Sequence, residues 1–418
     1  MVLVSCGYVP LEIPLALGMP AKRAVFWGPG PSCEAYLPRD FCSYAKAFVR
    51  EYLQDERIAV AGSCDAMRRA CDVLRYFGLA REVHFVDVPR ARGGGAEAYY
   101  AEVLREFAQG LAGISGREPG GAGRLVDSVD GPSFQRRLLA VTRSMNRIRS
   151  GLLRVFELQA AGHMSAVDAM CLTLEVNDAL GGELKGDLEN PRIVAQPDGG
   201  RGPGDGDEAA TALAIAAAVL ESATHRVDAT GDGRAGDQSV RVGVSGTCLL
   251  EPALLGVLEG AGLAVAFVDS CLGSRSFGLE VPVDAGSHET ENGADGADGV
   301  GACADADGPG GARPDPFRML ARAYLSKPAC PRMFVGDARA RRLRALARSS
   351  GAQGIVYFAP KFCDHAYYDF AELKGQVSEG EALPMLLLEG EYGSAGSGQT
   401  LTRVTAFREM LEGRLGLG

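Results

Sequence analysis

The sequence is poor in several residue types that would signal common functions. It has five histidines and one tryptophan in 418 residues, too few imidazoles for a His-rich metal site. Basic residues are in deficit, 43 Lys and Arg against 53 Asp and Glu, for a formal net charge of −10. Nucleic-acid binding needs clustered cations that would dominate this balance, so that class is excluded. No apolar run reaches the length of a membrane span, so no membrane partner is expected. The eleven cysteines include no Cys-x-x-Cys pair. That removes zinc ribbons, thioredoxin-type sites and ferredoxin-type cluster runs, which all depend on close ligand spacing. No Gly-x-x-x-x-Gly-Lys-Ser/Thr loop occurs either, so a phosphate-loop ATPase would have to be a separate protein.

The start, Met1-Val2-Leu3-Val4-Ser5-Cys6-Gly7, faintly resembles a lipoprotein cleavage site but lacks the basic region and longer apolar stretch of an export signal. The expectation is a cytoplasmic protein with reduced thiols. Any metal site must then be assembled by the fold from cysteines far apart in sequence.

What is present points to an α/β fold. With 46% hydrophobic and 23% charged residues, the chain can build two or three cores. Short apolar runs at 24–28, 57–62 and 83–88, each followed by a helical stretch, read as a first β-α alternation. Runs at 240–244, 263–268, 354–358 and 384–388 repeat it, with helices near 251–260, 337–349, 365–377 and 401–411. Continuous apolar strands with helical crossovers predict two doubly wound, parallel-sheet domains of the Rossmann or flavodoxin-like kind. Between them, Leu138, Val141, Met145, Ile148, Leu152 and Val155 have the spacing of one helix over 134–161, the stripe being core. Gly- and Asp-rich segments at 196–237 and 284–316 read as flexible surface insertions, the first carrying an Ala-rich helix over 208–222. The organisation expected is a first α/β domain over 1–130, a helical connector over 131–195, an insertion over 196–239 and a second α/β domain over 240–418.

Ligands in such sheets gather at the carboxyl ends of strands, so cysteines at strand-to-helix junctions are the first candidates. Cys64 follows the 57–62 strand in Ser63-Cys64-Asp65-Ala66-Met67-Arg68-Arg69 and opens a helix, whose N-terminus favours a thiolate. Cys363 takes the equivalent place in the second domain, in Lys361-Phe362-Cys363-Asp364. Cys42, in Arg39-Asp40-Phe41-Cys42-Ser43-Tyr44, stands at another helix start. A cleft between domains would bring such residues together.

These motifs, with Cys6-Gly7-Tyr8-Val9-Pro10-Leu11-Glu12, Asp269-Ser270-Cys271-Leu272-Gly273-Ser274-Arg275, Lys327-Pro328-Ala329-Cys330-Pro331-Arg332-Met333 and Glu389-Gly390-Glu391-Tyr392 leading into Gly396-Ser397-Gly398-Gln399, occur in the order found in the 2-hydroxyacyl-CoA dehydratases, relatives of the ATP-dependent benzoyl-CoA reductases. The chain resembles that family over nearly its whole length outside the insertions. It departs in carrying Leu11 before Glu12 where the family has two adjacent acids, and Val268 where a second aspartate is common.

The resemblance implies a subunit of a hydro-lyase whose Cys42, Cys64 and Cys363 hold a 4Fe-4S cluster, with the fourth iron open to a CoA thioester. It also implies one-electron chemistry through a ketyl radical, a paralogous dehydratase subunit and a separate ATP-dependent activator. Glu12, Glu389, Glu391 and His365 are candidate acid-base groups. Ser397, Gly398 and Gln399, before the last predicted helix, could bind an anion such as a CoA phosphate. Cys6 could border the cluster cavity, while Cys271 and Cys330 read as structural. The alternatives are a reductase of the benzoyl-CoA or double-cubane type, or a non-catalytic cluster-carrying partner subunit. Those reductases tend to have a Thr-Cys-Asp-Gly-Lys-Lys run, and the Ser63–Arg69 run differs from it in the direction of the dehydratases.

Overall fold

The computed structural model describes residues 1–26, 33–51, 57–93, 95–115, 128–182, 207–230, 239–247, 252–283, 315–378, 383–391 and 398–416. The first half runs β1 (Val2–Val4), α1 (Glu12–Ala16), β2 (Ala21–Arg23), α2 (Ser43–Glu51), β3 (Arg57–Ala61), α3 (Asp65–Tyr76), β4 (Glu82–Val86) and α4 (Ala96–Ser115). Three helices follow, α5 (Pro132–Ala160), α6 (Ala166–Leu180) and α7 (Glu208–Thr230). The second half runs β5 (Arg241–Gly246), α8 (Pro252–Gly260), β6 (Ala264–Asp269), α9 (Ser274–Phe277), α10 (Pro316–Ser326), α11 (Ala338–Ser350), β7 (Gly354–Pro360), α12 (Asp364–Ser378), β8 (Met385–Gly390) and α13 (Gly398–Leu415).

Each half builds a four-stranded sheet, ordered β2-β1-β3-β4 and β6-β5-β7-β8. Every pairing is parallel. The two doubly wound domains expected from the apolar runs are therefore present, with the same strand order in both.

Two details of the first sheet differ from the sequence reading. Val2 to Val4, which superficially look like a leader, form an inner strand with burial near complete, flanked by β2 and β3. The strand expected over 24–28 lies instead at Ala21–Arg23. That strand is at the sheet edge, where charged residues are tolerated. Lys22 pairs with Asp178 at 3.1 Å, and Asn177 exchanges two hydrogen bonds with the Arg23 backbone. The more apolar Ala24 and Phe26 just beyond it are core, Phe26 meeting Tyr44 edge-on.

α5 begins at Pro132, which fits the first helical turn because its missing N–H has no partner to lose there. Its buried stripe contains all six apolar residues of the predicted face. The Gly- and Asp-rich flanks of the first expected insertion lie outside the described residues, as do residues 284–314 of the second. The helix between those flanks is not a surface element. Ala209, Ala212, Leu213, Ala216, Leu220 and Ala223 of α7 are buried against α5 and α6. Burial of each leucine contributes about 1.5–3 kcal/mol, which an exposed insertion would forgo.

Candidate functional site

Three helix starts each deliver a cysteine, two of them directly after a strand. Cys42, Cys64 and Cys363 immediately precede α2, α3 and α12, and their carbonyls accept early amides from Lys46 (3.0 Å), Arg68 (3.1 Å) and Ala366 (2.9 Å). All three sulfurs thus sit at helix N-termini, where the dipole favours negative charge. The turns from the two domains meet: the Ser43 amide donates to the Lys361 carbonyl at 2.9 Å. Cys42 and Cys363 hydrogen-bond to each other through their sulfurs, and Cys64 lies close enough for its charge to act on Cys42. Each residue is 7–8% exposed.

The environment divides protons unevenly within this pair. The Cys363 thiol is drawn down to about 6, first by the hydrogen bond from Cys42, then by the Arg332 charge and the Ala366 amide, against the opposing effect of burial. Cys42 is pushed well above the ordinary thiol value, by holding its proton on Cys363 and by burial. One proton leaves the pair readily and the other is retained.

The turn before Cys363 is strained. Phe362 has φ 58°, in the left-handed region that costs a non-glycine residue about 1–2 kcal/mol, and Cys363 N–H closes the turn onto the Pro360 carbonyl at 3.1 Å. Its ring stays 45% exposed, with Lys46 Nζ 5.7 Å from the centroid. Lys46 also faces Glu391 at 3.9 Å, so charged and aromatic groups from both domains gather beside the buried sulfurs.

A small pocket of ≈ 20 Å³ opens next to this group. Cys6, Cys271 and Cys330 line it, with Lys327, Arg275 and Arg332. Arg332 joins the two places, since its charge acts on Cys363 while its Nη1 lies 3.0 Å from Ser63 Oγ and 3.9 Å from Cys6 Sγ. Lys327 is fully buried, and burial, followed by the nearby Arg23 charge, lowers its ammonium to about 7. Its Nζ lies 4.0 Å from the Tyr8 ring centroid and donates to the Gly7 carbonyl. Gly246, ending β5, has φ 148°, and a Cβ there would overlap the Phe358 carbonyl. That close approach sets Thr247 beside Cys271, whose Sγ donates to the Thr247 carbonyl at 3.0 Å.

The remaining predicted residues have other surroundings. Glu12 is fully buried, and its oxygens are held by Arg149 and by Tyr324 Oη at 2.7 Å, tying α1 to α5 and α10. Glu389 is exposed and accepts from the Tyr367 hydroxyl; Glu391 is exposed beside Lys46. His365 is half-buried, its imidazole shifted down by burial and by Arg90 and Arg332. Gly398 and Gln399 begin α13 and are exposed, while Ser397 lies outside the described residues.

Lys327, Arg332 and Thr247 were not singled out from sequence. The available signal was a pair of cations flanking a cysteine in Lys327-Pro328-Ala329-Cys330-Pro331-Arg332, and a small polar run, Ser245-Gly246-Thr247, closing an apolar strand.

Among the described residues, no three His, Cys, Asp or Glu side chains converge tightly enough to hold a single metal ion. A cubane asks something different, because its thiolates bind separate irons and stand apart around the cluster. Three N-terminal helix positions, a cysteine held down to about 6 and a nearby arginine fit such a thiolate-bound group.

Two parallel doubly wound domains meeting at a buried, thiol-rich cleft define an α/β protein. Residues 6–183 and 299–411 match the family model for 2-hydroxyglutaryl-CoA dehydratase, D-component. The chain belongs to that family and is a 2-hydroxyacyl-CoA dehydratase component. A search of curated proteins gave no match. Among the described residues, no helix is long and apolar enough to cross a membrane.

Proposed function

We propose that the chain is the iron-sulfur subunit of a 2-hydroxyacyl-CoA dehydratase, a hydro-lyase removing water from a 2-hydroxyacyl-CoA thioester. Cys42, Cys64 and Cys363 would hold a 4Fe-4S cluster. The observation that carries this reading is the meeting of Cys42 and Cys363, 321 positions apart in sequence, as a hydrogen-bonded pair with Cys64 beside them. When bound, the cluster would supply a Lewis-acidic iron and one-electron redox chemistry.

The residues around it have their own tasks. Arg332 and the first-turn amides of α2 and α12 favour negative sulfur. Burial of the three cysteines keeps bulk water from the sulfurs. Phe362, Lys46 and Glu391 stand at the exposed side, where a CoA thioester would approach.

Because the family is named for one component of a dehydratase, the working enzyme in this reading also contains a paralogous subunit and a separate ATP-dependent activator. The purified chain alone is then expected to show no ATP-driven turnover, checked by incubating it anaerobically with ATP, a reductant and a 2-hydroxyacyl-CoA.

The central test compares Cys64→Ser with Cys171→Ser, both prepared without oxygen. Cys171 lies on α6, outside the thiol cleft. Cys64→Ser should lose iron, acid-labile sulfide and the reduced-state EPR signal, while Cys171→Ser keeps all three. Equal losses in both variants, or none in Cys64→Ser, would remove the basis for this ligand assignment.

A further inference from the structure

The sulfurs of the cleft are shut in. Cys6, Cys42, Cys64, Cys330 and Cys363 are each 7–9% exposed. The pocket beside them, at ≈ 20 Å³, has room for a single body the size of a water molecule. Anything larger enters only if part of the wall moves. Much of that wall is apolar core or is pinned by buried side chains, such as Lys327 on the Gly7 carbonyl and Arg332 on Ser63 Oγ. Close-packed regions of this kind open only when the surrounding structure unfolds with them.

One stretch is built differently. Residues 90–93, between β4 and α4, lie against residues 327–334, between α10 and α11, which carry Lys327, Cys330 and Arg332 into the cleft. Ala91 and Phe334 form an isolated parallel bridge. The Phe334 amide donates to the Arg90 carbonyl at 2.8 Å and Arg90 Nε to the Arg332 carbonyl at 3.1 Å. Arg92 Nη2 donates to the Lys327 carbonyl at 2.6 Å. The Arg90 guanidinium also stands 4.5 Å from the centroid of the Phe334 ring, which is 66% exposed. Ala91, Arg92 and Gly93 are exposed and Arg90 is half-buried, so water can replace each of these bonds when it breaks. Such segments come from the low-stability end of a fold.

The ends of the strap suit a pivot. Val88, just upstream, is buried and fixes the exit from β4. Gly93, at the downstream end, has φ 86°, and a Cβ there would meet nothing within 4 Å. Glycine is thus needed for its left-handed backbone and not to relieve crowding, and nothing packs over it to resist rotation.

We propose that residues 90–93 are a latch on the cleft, anchored at Val88 and turning about Gly93. Its release frees the outer side of the 327–334 segment, lets that segment swing away, and admits ligands to the buried sulfurs. The structure holds the latch closed. This goes beyond the ligand assignment above and applies whatever the cleft binds.

The test is labelling of the full, cluster-free chain with N-ethylmaleimide under native conditions, followed at each cysteine by mass spectrometry. Rates are read as the ratio of variant to wild type, so that differences in intrinsic thiol reactivity cancel. Cys71, 1% exposed on α3, reports global unfolding. Arg90→Ala combined with Arg92→Ala should raise the rates at Cys6 and Cys330 about tenfold and leave Cys71 unchanged. A lock is made by Ala91→Cys with Phe334→Cys, since paired strands lie about 4.8 Å apart, within the reach of a disulfide. With the 91–334 disulfide confirmed by peptide mapping, Cys6 and Cys330 should label about tenfold more slowly than in the same variant reduced. Cleft rates that change only in step with Cys71 would overturn the latch, because the cleft would then open by global unfolding. Equal cleft rates in the locked and reduced forms would overturn it as well, by placing the entrance elsewhere. Should the lock not form, the arginine variant decides alone; should the arginine variant be unstable, the lock does. No metal is used, so the outcome is independent of the cluster reading.

Discussion

Asp269 shows how strongly one residue can be committed by its neighbours. It is fully buried at the end of β6, with Arg342 at 3.0 Å, Arg275 at 3.5 Å and Arg339 at 3.9 Å. Burial pushes its carboxyl up, but the three guanidiniums outweigh it and hold the value at about 2, below the usual 3.8. The folded value is depressed, so the stabilisation is fully present above pH 3.8 and is lost as pH falls through about 2. Asp269→Asn leaves Arg275 buried without its counter-charge, while Arg339 keeps Asp369 at 2.7 Å, and we expect a loss of about 3–5 kcal/mol in urea unfolding at pH 7. A loss below about 1 kcal/mol would show that the arginines find other partners. Cys363 gives a second residue-scale prediction. Its thiol, drawn from 9.0 to about 6, should be alkylated at a rate that rises through pH 6 and levels off by about pH 7.5 in cluster-free protein. Cys33 and Cys71, both shifted up by burial, should show no such step. Rates by iodoacetamide labelling and mass spectrometry check this, and a Cys363 rate still climbing at pH 9 contradicts the assignment.

At the scale of elements, the seam between α5 and α7 rests on a glycine. Gly151 faces Leu220, and a Cβ at Gly151 would overlap that side chain. Gly151→Ala should therefore push α7 outward at a cost of about 1–3 kcal/mol, although alanine favours helix on propensity alone. Combining it with Leu220→Ala makes room again, so a double-mutant cycle should give coupling of about 0.5–3 kcal/mol. Purely additive losses would mean that the helices do not meet there. This seam also marks what the sequence could and could not reveal. The α5 stripe was legible because about five turns repeat one period, and Cys64 and Cys363 stood out because each sits between a strand and a helix, Cys42 because it opens a helix. α7 was hidden by its Gly- and Asp-rich flanks, and its many alanines carry too little apolar contrast to announce a buried face. β1 went unassigned and β2 was placed too late because each has three residues, too few to show a period, and β2 carries Lys22 and Arg23 at an edge.

On the scale of the whole molecule, the cleft is where two separately folded sheets are joined, so what binds there should govern how they hold together. Polar contacts cross it alongside the apolar core that both halves share. Arg92 donates to the Lys327 carbonyl at 2.6 Å, Arg90 Nε donates to the Arg332 carbonyl at 3.1 Å, and Phe334 N–H returns to the Arg90 carbonyl at 2.8 Å. Each such bond contributes only about 0.5–1.5 kcal/mol net. A cluster bonded to Cys42 and Cys64 from one domain and Cys363 from the other would be a covalent bridge across the same seam, and it would bind only the folded arrangement. Ligand linkage then requires stabilisation of about 2.7 kcal/mol or more once the bridge is occupied a hundredfold above its dissociation constant. For domains of this size that corresponds to a rise of roughly 2–4 °C for each kcal/mol. Anaerobic calorimetry should thus show a higher Tm for reconstituted wild type than for the cluster-free chain, with little or no rise for Cys64→Ser taken through the same procedure. Cys171→Ser should behave as wild type. An equal rise in Cys64→Ser would mean that iron stabilises the protein from somewhere other than a bridge containing Cys64, and the joined-domain view of the site would fall with it.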